Sequence, residues 1–378
     1  MLRVICMAIL TLVLWGNTSF SQESVPVKDV TPKKRMSVTL NKEGEITSMN
    51  VEEIPQATTP VESQSPIVVK EQTSVKTSEN FERRFHWRNV SLPIEGRFSL
   101  LGGYRNDDFD WNIAGDINGN NPNVLSELTW SDLAMYQVQA QGQLIIAEHW
   151  VADGLASYSD IYDGENQDSD FLANQRTLEF SRSNNQSDNG RVVDLSGGVG
   201  YRFSHHSDLD WFAVDQLWVT PLVGYSQHKQ DLVITDGFQT VPATGPFAGL
   251  HSQYDTEWKG PWWGVELEGT RGKLGGTLRA EYHMVDYYAE ADWNLRSDFQ
   301  HPKSFEHEAD GRGLVFRMGL NYQLTRFLSL DFQGTFQDWE TDHGIDRVFF
   351  SSGSIAETRL NEVNWESYSL LAGATVRF

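Results

Sequence analysis

A two-residue period that returns again and again between Glu95 and Phe378 constrains this chain more than any other feature. In the final stretch, "SYSLLAGATVRF", Tyr368, Leu370, Ala372, Ala374, Val376 and Phe378 are apolar. Between them stand Ser367, Ser369, Leu371, Gly373, Thr375 and Arg377, mostly polar or small. That is a strand with one oily and one wet face.

Ten such segments follow one another. The first puts Phe98, Leu100, Gly102 and Tyr104 on one face. The second puts Leu128, Trp130, Ala134, Tyr136, Val138 and Ala140 on one side and Gln137, Gln139, Gln141 and Gln143 on the other. A soluble sandwich rarely points a glutamine row at its core, although it can turn one to solvent. A barrel with a wet interior and an oily exterior accommodates it directly. In Leu274–Ala289, Leu278, Ala280, Tyr282 and Met284 oppose Thr277, Arg279, Glu281 and His283. In Gly311–Leu324, Leu314, Phe316, Met318, Leu320 and Tyr322 oppose Val315, Arg317, Gly319, Asn321 and Gln323. Charges on an inner face are costly in a dry core and ordinary in a lumen.

The connections alternate too. Ile145–His149, Arg271–Lys273 and Thr325–Phe327 are short, and Ser204–Gln216 is somewhat longer. Arg105–Ser126, Ile161–Val192, Asp231–Tyr254, Glu290–Asp310 and Thr341–Asn364 are long and polar. Short turns at one end and long loops at the other are how outer-membrane barrels are built. The expected fold is therefore all-β, a ten-stranded antiparallel transmembrane β-barrel over residues 95–378 in the bacterial outer membrane, both ends periplasmic. In a closed barrel the last strand pairs with the first, so a chain stopping on an aromatic leaves no open edge.

No stretch after residue 16 approaches the ~18 apolar residues of a membrane helix, and mean hydropathy is −0.44. The 13 Trp, 12 Tyr and 20 Phe fit aromatic girdles, a carbohydrate binder or a large core. Met1-Leu2-Arg3, the apolar run Val4 to Trp15, and Ser19 and Ser21 read as a signal peptide over 1–21, cut before Gln22. A single membrane anchor is the alternative. Cys6, the only cysteine, lies in that segment, so the mature chain has no disulfide, zinc thiolate or cysteine nucleophile. Residues 22–94 ("VPVKDVTPKK", "IPQATTPVESQSP", "KEQTSVKTSEN") bury too little to offset chain entropy and read as a flexible, disordered periplasmic linker. A small hairpin at Lys42-Glu43-Gly44 is the competing reading. The net charge of −22 argues against nucleic acid and favours cations or basic peptides. The blander reading is that acidic loops only keep the protein soluble.

The barrel region resembles the omptin family of outer-membrane proteases. "VLSELTWSDLAMYQVQAQGQL" is similar to the omptin second strand, and "TPLVGYSQHKQDLVITDG", "WKGPWWGVELEG" and "GLNYQLTRFLSLDFQGTF" stand in the places of similar omptin stretches. A weaker likeness, carried by "DIYDGENQDSDF" and "RTLEFSRSNN", is to outer-membrane proteins of Chlamydia-like bacteria. The omptin resemblance implies hydrolysis by a water held between an Asp-x-Asp pair atop the third strand and an Asp-x-His pair atop the seventh. One of these groups accepts the water's proton. The matching positions are degraded. Asp160 fits the second Asp, with Tyr158 in place of the first and Asp163 beyond it. Asp292 fits the opposite wall, but Asn294 replaces the histidine, leaving His301 and His307 further along the loop. Fold does not carry chemistry with it, so a non-proteolytic surface binder or small-solute passage is expected. The alternative is a rearranged protease using Asp160, Asp163, Asp292 and His301 on basic peptides.

Asp163, Glu165, Asp168 and Asp170 crowd one loop and suggest calcium, which takes several oxygens. The alternative is a solvated acidic loop. His205-His206 with Asp208 and Asp210 is a lesser zinc candidate. Arg279, Glu281 and His283 read as a wall of paired charges, and Trp258, Trp262, Trp263 and Trp293 as girdle residues. The expected surroundings are outer-membrane lipid, including lipopolysaccharide, around a monomer.

Overall fold

The computed structural model describes residues 34–40, 46–53, 93–205 and 214–378. The chain divides into two units, Met1–Phe85 and His86–Phe378. In the first, β1 (Lys34–Leu40) and β2 (Ile46–Glu53) pair antiparallel, Lys34 opposite Glu53. They flank Lys42-Glu43-Gly44, so the linker is not wholly without structure. The signal peptide, most of the linker, and His206, Asp208 and Asp210 lie outside the described residues.

The second unit is a closed ring. Its strands are β3 (Ile94–Ile113), β4 (Ser126–Ile146), β5 (Trp150–Ala173), β6 (Thr177–Tyr201), β8 (Gln216–Val241), β10 (His251–Arg271), β11 (Leu274–Asp292), β12 (Phe305–Gln323), β13 (Leu328–Thr341) and β15 (Ile355–Arg377). Three short pieces, β7 (Phe203–His205), β9 (Gly245–Pro246) and β14 (Gly344–Phe349), pair at its edges. Every neighbouring pair is antiparallel, β10 joins β8, and β15 joins β3. At the closing seam Phe378 and Gly96 exchange backbone bonds of 3.0 and 2.8 Å. The ten-stranded antiparallel barrel is therefore as expected.

The long polar links are largely strand. Crossing a bilayer takes ~9–11 tilted residues, yet β6 has 25 and β8 has 26. β5 and β6 run on until only Asn174–Arg176 separates them. Hydrogen bonding continues where the sequence pattern fades, because the pattern inverts instead of stopping. Near the chain ends, β3 turns Phe98, Leu100 and Tyr104 outward and Arg97 and Ser99 inward. Further along, the same parity turns Asp108 and Asp110 outward and Phe109 and Trp111 inward. β11 does likewise, passing from Met284 outside and His283 inside to Asp286 and Glu290 outside and Tyr287 inside.

The expectation of a wet lumen is corrected for the hairpin half. There Phe109, Trp111, Trp130, Tyr254, Trp258, Tyr287, Trp339 and Trp365 form a buried core. Hairpins standing in water on their outside must bury apolar area on their inside. Trp258 and Trp262 are likewise interior, not girdle, residues, and Trp293 packs half-buried against the core; Trp263 alone of the four is exposed, at 53%. The outer apolar belt is instead edged by Tyr104, Tyr368, Tyr136 and Tyr162 on the hairpin side and by Trp150, Tyr201 and Phe203 near the chain ends.

A bulge also corrects the reading of the second strand. Ser131 and Asp132 add a step to β4 opposite Asp108 of β3, and the register with β5 shifts there and again at Tyr162. Asp132 has φ 53° and donates its N–H to Asp108 Oδ1 at 2.9 Å. Beyond the bulge the faces swap. Leu128 and Trp130 therefore point inward while Tyr136 and Val138 point outward.

Candidate functional site

The carboxylates at the hairpin end sort by strand parity. Asp168 and Asp170 lie on the inward face of β5, opposite Leu128 and Ser126 of β4. Trp293 lies beside Asp168, and Arg296 stands near both carboxylates. Arg296 itself holds Asp298 through two bonds of 2.9 and 2.8 Å. Burial, and then the charge of Asp170, push the Asp168 carboxyl up to about 8. Burial raises Asp170 as well. Such a pair titrates as a unit and holds a proton near neutrality.

The four residues nominated for catalysis do not assemble. Asp160, opposite Tyr136 and Arg191, is exposed on the outer face. Asp163 sits exposed in the bulge, its Oδ1 accepting the Gly164 N–H at 3.1 Å. Asp292 and His301 do come together, Oδ1 to Nδ1 at 2.6 Å, and the Asp292 carboxylate raises the His301 imidazole above its ordinary value. Asp292 also follows the outward parity of β11. β5 and β11 are four strands apart in the ring of ten, so outward groups on them point away from each other. Parity likewise divides the proposed calcium ligands, with Asp163 and Glu165 outside and Asp168 and Asp170 inside. Among the described residues no group of three or more His, Cys, Asp or Glu is placed to hold a metal. The sequence reading missed Asp168-Ser169-Asp170 as an inward Asp-x-Asp on the third strand. Continuing the strand through the bulge would have found it.

Below the aromatic core the lumen is polar and ion-paired. Arg105, with no exposed surface, binds Asp107 at 2.8 and 2.9 Å and Asp194 at 2.6 Å. Asp194 also accepts from Ser157 at 2.7 Å and meets His228 Nδ1 at 2.9 Å. Nearer the chain ends, Arg279 holds Asp153, Glu266 and Glu281, Arg317 holds Glu281, and Arg97 and Arg202 share Glu268. Ser226 Oγ lies 2.9 Å from His283 Nδ1, whose Nε2 lies 3.2 Å from Glu281. Those are the parts of a hydrolytic relay. All three are buried, with Trp262 and Trp339 beside the imidazole, and no substrate reaches the hydroxyl. Arg279, Glu281 and His283 are thus the wall of paired charges that was expected.

On the outer wall beyond the apolar belt, Asp231 faces Asp255 across the ladder, and Asp255 faces Glu290. Like charges directly opposite are destabilising. Burial, then Asp231 and Glu290, push Asp255 up to about 6.

The family model described as "Pom: Protochlamydia outer membrane protein" matches residues 99–378. The barrel is similar to the outer membrane protease OmpT from Escherichia coli at TM-score 0.61, with 10% identity over 77% of this chain and 99% of that one. The outer membrane protein OprG from Pseudomonas aeruginosa aligns over 75% of this chain and 96% of its own, at 12% identity and TM-score 0.32. No curated protein matches the sequence. Both resemblances read from the sequence therefore hold, the omptin one for the fold alone, and the family match indicates the bacterial outer membrane.

Proposed function

We propose a function from one premise: this chain belongs to the Protochlamydia outer membrane protein family. The barrel spans the outer membrane as a closed body, its apolar belt in lipid, its ends in the periplasm and its hairpins outside. There it binds cationic partners, such as basic peptides, on an acidic outer wall and does not cleave them. The observation that carries this is the Asp231–Asp255–Glu290 row, three carboxylates set side by side and facing outward. Arg191 pairs with Asp231 and Lys303 with Glu290, so Asp255 between them is the carboxylate left for a cationic ligand to neutralise. The buried aromatic core speaks against solute passage.

The test is binding of a fluorescent dibasic peptide to protein refolded in detergent. Binding should weaken with salt and fall in the Asp255→Asn, Glu290→Gln double variant, while the peptide stays intact. Salt-insensitive binding, or binding equal in the variant, would defeat the reading. Discrete conductance steps in a planar bilayer would replace it with a pore.

A second reading, a rearranged omptin-type endoprotease, rests on one observation. The loop that bonds His301 to Asp292 also brings Trp293 beside Asp168. Cleavage of the same peptide, lost in both Asp168→Asn and Asp292→Asn, would bring that reading to the front.

A further inference from the structure

A cavity of about 160 Å³ lies inside the half of the barrel nearest the chain ends, below the aromatic core. Its wall is built from inward positions of both the first and the last strands, so it exists only once the ring has closed. Of the charged groups lining it, Arg97, Asp153, Glu266, Arg279 and Arg317 each sit in an ion pair.

Two charges lining the same cavity do not. Arg377 on β15 makes one side-chain bond, Nη2 to Asn321 Oδ1 at 3.3 Å, and its Nε is buried with no partner. Asp331 on β13 accepts one bond at Oδ2, from Ser329 at 3.2 Å, and among the described residues it has no cationic partner. The two strands are neighbours in the ring, yet the guanidinium and the carboxylate do not join. A buried donor without an acceptor is destabilising, the more so when charged. A chain able to pair these two groups directly would be expected to do so unless something stands between them.

We propose that this cavity is a binding site for a small zwitterion of the α-amino-acid type. The ligand carboxylate meets Arg377, whose planar fork suits it. The ligand ammonium meets Asp331. Gln141, Gln333 and Thr375 supply neutral hydrogen-bonding groups beside them. Charge selects the class. With all other lining charges already paired, a simple anion would satisfy Arg377 and leave Asp331 bare. A simple cation would do the reverse. A ligand carrying both charges satisfies both and leaves no net charge in the partly buried site. This site is separate from the acidic outer wall and does not depend on what that wall binds.

The test is calorimetric titration of the refolded full chain with L-alanine, acetate or methylammonium, each as the only added ligand. Saturable binding of L-alanine is expected, at least tenfold tighter than either half-molecule. Asp331→Asn, which keeps shape and removes charge, should weaken L-alanine at least tenfold, with folding checked by heat-modifiable migration on a gel. If that variant does not fold, the ranking of the three ligands on the unmodified chain decides. Failure of L-alanine to bind, binding no tighter than acetate or methylammonium, or a folded Asp331→Asn variant that binds normally would each overturn the proposal and leave a cavity filled by water.

Discussion

Trp339 on β13 and Trp365 on β15 sit directly opposite each other in the ladder and stack inside the barrel, ring centroids 5.3 Å apart and planes inclined by 17°. Trp258 lies 6.0 and 6.1 Å from the two rings, and His228 packs 4.7 Å from Trp339. Together they form a lid of aromatic rings between the polar lumen and the apolar core.

Trp339→Ala should cost about 3–5 kcal/mol, because the lost ring leaves a cavity that the strands cannot close. Denaturant unfolding of the refolded barrel reads the loss. In planar bilayers the unmodified protein should be silent, and the variant should show raised leak if this lid is what blocks the lumen.

Asp194→Ala should destabilise by about 3–5 kcal/mol, since it leaves Arg105 buried with part of its charge uncompensated. Asp107 remains on the guanidinium, so the effect should be smaller than that of replacing both carboxylates. A double-mutant comparison by unfolding checks this order.

The Asp168 carboxyl titrates at about 8 instead of its ordinary 3.8. Between those values the folded protein holds more protons than the unfolded chain, so this group's contribution to stability falls as pH rises across that window. Ionised Asp168 then repels Asp170. Protection factors along β5 and β6 near Asn174–Arg176, corrected for the intrinsic rise of amide exchange with pH, should fall between pH 6 and pH 9 in the native protein. In Asp168→Asn those protection factors should stay level with pH.

His301 should titrate above an ordinary histidine because Asp292 accepts its Nδ1–H. In Asp292→Asn its midpoint, followed by NMR of the imidazole, should fall back. An unchanged midpoint would show that the pair does not form in solution.

Much of this was legible in the residues. The glutamine row Gln137 to Gln143, the opposed faces of Leu278 and Arg279, and the terminal alternation ending at Phe378 require a two-faced strand, whatever surrounds it. Ten such strands with short turns imply a closed ring. The site was less legible. Asp160, Asp163, Asp168 and Asp170 look equivalent in sequence, and only the bulge at Tyr162-Asp163 sends the first two outward and the last two inward.

By itself the sequence determined the number of barrel strands and the alternation within each, because side chains on a strand must alternate whatever the solvent. Only the tertiary structure decided where that alternation changes sign. One strand passes from apolar side chains outside and charge inside to charge outside and tryptophan inside, and the residue pattern alone does not mark that boundary. Which charges find partners is likewise a property of the closed ring. Arg377 and Asp331 were ordinary wet-face residues until their strands met and left them unpaired around one cavity.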